Sequence, residues 1–109
     1  MKKNLTYGLA LDAVKSGKLI TRNGWNGKNM FVFMRPEDTL NADILFKAKS
    51  LPNGVKTYFE RLHQPIINPN DVQVKFTAYL CLKSADNSVI NGWAPSQTDM
   101  IANDWEILD

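Results

Sequence analysis

The sequence predicts an α+β domain, with an antiparallel sheet of about five strands and two or three helices. Three observations predict it. Residues 6–16 repeat apolar side chains at helical spacing. Residues 72–82 alternate with period two. Short apolar runs are joined by Asn- and Gly-containing segments of the kind that reverse a chain.

The helix comes first. Tyr7, Ala10, Leu11 and Val14 fall on one face, Thr6 is placed to cap the start, and Gly17 to end the helix. Gly8, inside it, costs about 1 kcal/mol against alanine, which points to close packing there. Lys18–Arg22 reads as a strand, Asn23–Gly27 as a tight turn, and Met30–Met34 as the returning strand, ended by Pro36. The pair forms a hairpin with Trp25 at its tip. Residues 37–70 read as an insertion that decorates the sheet. Leu40–Lys49 fits either a strand or a short helix, and Val55–Leu62 reads as a helix. Pro52, Pro65 and Pro69 interrupt the region. Residues 72–82 give the clearest strand, with Val72, Val74, Phe76, Ala78, Leu80 and Leu82 on one face. Ala85–Ser88 is a turn and Val89–Ala94 the strand it returns. Ser96-Gln97-Thr98-Asp99 has the Ser-x-x-acid pattern that opens a helix, here Gln97–Ala102. Asp104–Leu108 is the last strand, with Trp105 and Ile107 on one face.

Composition narrows the function. The 109 residues fit one domain, 1–109, with one core. A net charge of +2 gives no concentrated basic stripe of the kind duplex DNA requires, but allows a small anionic ligand. The single cysteine, Cys81, forms no intrachain disulfide and suits a reducing cytoplasm. No apolar run approaches the ~20 residues of a membrane span. No cofactor is expected.

Enzyme chemistry finds few parts. His63 is the one histidine, in a Pro-bounded stretch that reads as a solvated loop, and no zinc-ligand spacing accompanies it. Neither a phosphate-binding loop motif nor a dinucleotide fingerprint occurs. Cys81 reads as a packed sheet residue. Asp99, Asp104 and Glu106 are close in sequence, but Asp99 reads as a helix cap and the other two as flanking a strand.

Two segments suit ligand binding. In Arg22-Asn23-Gly24-Trp25-Asn26-Gly27-Lys28, an indole on a turn can stack on a purine, Arg22 and Lys28 suit phosphate, and Asn26 offers a donor and an acceptor. The alternative is that Trp25 folds back as a cap on the sheet. In Ser96-Gln97-Thr98-Asp99, backbone N–H groups at a helix start attract an anion, and Asp99 suits a ribose hydroxyl. The alternative is an ordinary capping box.

Together the segments resemble the second anti-Thoeris family of phage proteins. The matching stretches are Tyr7–Leu11, Gly17-Lys18, Arg22–Lys28, Lys83–Asp86, Trp93, Ser96–Met100 and Asp104–Glu106. The resemblance implies an N-terminal helix packed on an antiparallel sheet, a homotetramer, and a pocket between subunits. It implies a phage protein, acting in the infected host's cytoplasm, that sequesters a cyclic ADP-ribose-type immune signal without cleaving it. Carried over by motif, the ligand-binding positions are Trp25, Asn26, Ser96, Thr98 and Asp99. Arg22, Lys28 and Gln97 join them on the charge and cap arguments above. Some members also bind cyclic dinucleotides, a ligand class that residues 37–70, which match no family motif, leave open here. Pro95 and Asn87 depart from the family's usual residues. An enzyme that degrades a nucleotide signal and a phage structural or assembly protein are the competing readings.

Overall fold

The computed structural model describes residues 2–25 and 29–108. Its elements run β1 (Lys2–Leu5), α1 (Tyr7–Lys15), β2 (Leu19–Arg22), a 3-10 turn (Asn23–Trp25), β3 (Phe31–Arg35), β4 (Asp38–Leu40), α2 (Ala42–Leu45) and α3 (Asn53–Leu62). A second 3-10 turn (Pro69–Asp71) follows, then β5 (Val74–Phe76), β6 (Tyr79–Lys83), β7 (Val89–Asn91), α4 (Gln97–Ile101) and β8 (Trp105–Leu108). Residues up to Pro36 and from Ala78 onward form one compact unit, and Glu37–Thr77 forms another.

The first unit is a six-stranded antiparallel sheet, ordered β1-β8-β2-β3-β6-β7, with α1 packed on it. One row of paired residues crosses all six strands: Lys2, Ile107, Ile20, Val32, Leu82 and Ile90. Directly opposed residues share a face. Ile20, Val32 and Leu82 from this row meet Ala10 and Val14 of α1, and with Trp105 they form the core. The helix ends are as the sequence predicts: the Thr6 hydroxyl accepts from the Leu9 N–H, and Gly17 sits at φ +99° just past the last turn. Gly8 is different. A side chain there would meet only the Thr6 hydroxyl at 3.9 Å, so close packing does not account for this glycine.

Three strand readings are corrected. β1 is a strand that the polar run Lys2-Lys3-Asn4 conceals. The 72–82 run is cut at Thr77–Ala78, so that β5 pairs with β4 while β6 pairs with β3 and β7. Alternation reports which side chains share a face and says nothing about the partner strand, so one run can serve two sheets. The returning strand is Phe31–Arg35 rather than Met30–Met34, and of the Asn23–Gly27 turn, Asn23–Trp25 form a 3-10 turn while Asn26 and Gly27 lie outside the described residues.

The second unit pairs β4 with β5 and buries Ala42, Leu45 and Val72 against Phe46, Leu51, Phe59 and Ile66. The inserted segment therefore has its own apolar cluster and extends to Thr77. The Asn41 side chain caps α2. His63 is not a solvated loop residue: it is half-buried at the end of α3, where its Nδ1 donates to the Phe59 carbonyl at 2.8 Å.

Candidate functional site

The two segments singled out in the sequence meet at one end of the first unit, because β2 and β8 are neighbours. Arg22, the last residue of β2, lies opposite Trp105, the first residue of β8. The turn after Arg22 and the α4 segment before Trp105 are thereby brought side by side.

Arg22 joins them. Its Nε donates to Asp104 Oδ1 at 2.9 Å and its Nη1 to Asp99 Oδ1 at 2.8 Å. The Arg22 and Asp99 side chains keep only 14% and 13% of their exposure, so these are sheltered charge-assisted bonds rather than solvated surface pairs. Asp99 has a second task. Its other oxygen accepts from the Ser96 N–H while its own N–H donates to the Ser96 hydroxyl, which closes the capping box of α4. Asp104 Oδ2 also accepts from the Gly24 N–H at 3.0 Å, and the Asp104 carbonyl accepts from the Asn23 N–H at 3.1 Å.

These contacts fix the charges. The hydrogen bond to Asp104 leads in raising the Arg22 pKa further, against the effect of burial. Asp104 lies below the usual carboxylate range, chiefly through Arg22 and, against burial, through the Gly24 N–H. Burial pushes Asp99 up, but bonds from Ser96 and Arg22 outweigh it and hold Asp99 low. One cation and two carboxylates leave this cluster acidic by one charge near neutral pH.

Trp105 forms the floor. It is fully buried and its indole N–H donates to the Asp99 carbonyl at 2.8 Å. Tyr7, Trp25 and Trp93 surround it, with ring centroids at 5.3, 5.4 and 6.4 Å. Trp25 also meets Trp93 edge-on at 6.3 Å. Of the two readings of Trp25, the fold gives the cap: the ring is half-buried against the core rather than projecting from a hairpin tip. Part of it stays open to solvent.

A groove of about 460 Å³ runs beside this cluster, lined by Arg22, Gln97, Thr98, Ile101 and Ala102. Its size falls in the range of small-molecule pockets. Ile101 is 75% exposed, with Met100 and Leu9 also exposed on the same unit. A larger hollow of about 580 Å³ lies on the second unit, but all its lining residues, Gly54, Thr57, Tyr58, Arg61 and Leu62, come from α3. It is one face of a helix rather than a cleft with converging polar groups.

The sequence-predicted residues therefore divide. Arg22, Gln97 and Thr98 line the groove. Ser96 and Asp99 form the capping box, and Asp99 reaches the groove only through Arg22. The five residues of α4 already have a carboxylate at their N-terminus, which argues against an anion binding there. Arg22 is held by two carboxylates and is not a free phosphate ligand. Asn26 and Lys28 lie outside the described residues. Sequence reasoning passed over Asp104 as a strand flank and Ile101 altogether. The stretch Asp104-Trp105-Glu106 was the available signal for the first. No cluster of three or more metal-ligating side chains occurs among the described residues.

The chain matches the family model described as the Thoeris anti-defense 2-like domain over residues 5–108. It is also 36% identical, over 108 residues, to Thoeris anti-defense 2 of Bacillus phage SP01, covering 99% of both chains.

Proposed function

The chain belongs to the Thoeris anti-defense 2 family, and from that premise we propose that it binds a cyclic ADP-ribose-type immune signal and holds it without cleaving it. It acts where that signal is made, in the cytoplasm of the infected host. The observation that carries the reading is the groove beside the Arg22 cluster, in which amide, hydroxyl and apolar side chains face one space.

The ligand class offers a purine, riboses and a pyrophosphate. Gln97 and Thr98 supply donors and acceptors for ribose hydroxyls. Trp25 and Ile101 supply apolar surface for the base. The surplus negative charge around Arg22 favours hydroxyls over phosphate there, so the pyrophosphate needs a cation from elsewhere. Lys28, retained from the sequence, is the candidate. Asn26 is retained on the same footing, and cyclic dinucleotides as a second ligand class.

The open groove also supports an assembly. Ile101, Met100 and Leu9 leave apolar surface in water that a second copy would cover, closing the ligand in. The protein is expected to be a homotetramer by light scattering after size exclusion. Titration with the purified product of a Thoeris TIR-domain protein should saturate at a fixed number of ligands per tetramer. A monomer at micromolar concentration would remove the between-subunit pocket, and no heat of binding would remove the ligand class. An enzyme that degrades the signal remains the competing reading. It requires an activated nucleophile or a general acid–base pair, and the groove residues Arg22, Gln97, Thr98, Ile101 and Ala102 supply neither.

A further inference from the structure

We infer that Asp104 is the positioning residue of this site, the group that sets the Trp25 turn and the start of α4 in one geometry before a ligand arrives. The inference rests on the binding function proposed above.

The Asp104 carboxylate is an acceptor shared by two segments. From β2 it takes Arg22 Nε at 2.9 Å and Nη2 at 3.4 Å, and from the following turn it takes the Gly24 N–H at 3.0 Å. The same residue's carbonyl takes the Asn23 N–H. The turn that carries Trp25 is thus seated on one residue by two backbone N–H groups.

The fit explains Gly24. A Cβ there would stand 3.2 Å from Asp104 Oδ2 and 3.6 Å from Arg22 Nη2. The constraint is one of space and not of backbone conformation, since the Gly24 φ lies outside the left-handed region. An added Cβ would press the carboxylate or the turn to give by a few tenths of an ångström.

The link continues to α4. With Nε held by Asp104, the guanidinium presents Nη1 to Asp99, whose other oxygen holds the Ser96 N–H. Arg22 also stands 6.0 Å from the centroid of the Trp105 ring, on which Trp25 rests. Asp104 therefore acts on the groove through Arg22, which lines it, and on the Trp25 turn through the Gly24 N–H.

The test is Asp104→Asn in the full-length protein. The amide keeps the shape, but its NH2 turns a donor toward either Arg22 or Gly24, so one bond is lost to donor–donor opposition. The protein is labelled with 5-fluorotryptophan, and the Trp25 fluorine resonance is identified with Trp25→Phe. The Trp25 line should shift or broaden in ligand-free Asp104→Asn. Affinity for the purified TIR product should fall at least about tenfold. Gly24→Ala should have the same two effects with every charge retained, and decides the matter if Asp104→Asn does not fold. An unmoved Trp25 line in the folded variant overturns the inference, as does undiminished affinity. If the unmodified protein fails to bind the TIR product, the proposed function is wrong. The Trp25 line then still decides whether Asp104 holds the turn.

Discussion

Replacing Trp25 with alanine should lower affinity for the TIR product by roughly 5- to 150-fold, the loss of one base–aromatic stack worth about 1–3 kcal/mol. Truncation should also lower stability, because Trp25 is not a free turn aromatic. It packs edge-on against Trp105 and Trp93, and aromatic pairs of this kind contribute about 0.5–1.5 kcal/mol each beyond their buried area. A fall of several degrees in Tm should accompany the loss of binding. The two effects separate in Trp25→Phe, which keeps a ring against Trp105 but offers a smaller stacking face. Phe should recover most of the Tm and only part of the affinity. Calorimetric titration with a parallel thermal melt reads both quantities. Unchanged affinity in a folded Trp25→Ala protein would mean that the ring serves packing alone.

Trp105→Ala should have the largest effect on stability. Trp105 is among the largest fully buried side chains of the described core, and deleting a buried tryptophan typically costs about 3–5 kcal/mol. Against a total of about 5–15 kcal/mol for a domain, that is roughly a fifth or more. Tm should drop by roughly 15–30 °C, or the protein should fail to fold. Trp105→Phe isolates one part of this. It retains an aromatic floor but leaves the Asp99 carbonyl without the indole N–H, a loss of about 1–2 kcal/mol. Denaturant unfolding of both variants checks the order. Wild-type stability in Trp105→Ala would contradict the core assignment.

The parts of the fold that were legible in the sequence are those set by neighbours a few residues away. The Thr6 cap, the Gly17 stop and the Ser96–Asp99 capping box each depend on contacts within one helical turn, and each appears in the structure. β1 was illegible because Lys2 and Lys3 hide a strand whose partner, β8, is at the other end of the chain. Lysines are common on such sheet edges, where they discourage pairing with other chains. The division of the 72–82 run between two sheets was illegible for a related reason, since Leu80 and Val74 differ in their partners and not in their pattern.

The candidate site divides in the same way. Gln97 and Thr98 were found because a recognisable helix start carries them. The destination of Trp25 was not, because a turn's composition does not fix where its side chains point. Asp104 could be recognised only from space, since it lies 82 residues from the Arg22 guanidinium and 80 from the Gly24 N–H that it accepts. Charge at Arg22 was read from the sequence as available to phosphate. The fold consumes it in two carboxylate pairs, and a local reading has no means of counting partners that arrive from α4 and from the residue before β8.

The central claim is sequestration, and mass spectrometry of captured ligand tests it most directly. The protein is mixed with a molar excess of the TIR product, filtered to remove unbound ligand, and heated to denature it. Free ligand should fall only by the number of binding sites present. The molecule released on heating should have its original mass. Ligand consumed beyond the number of sites, or a cleaved product in the released fraction, would show turnover and contradict the account.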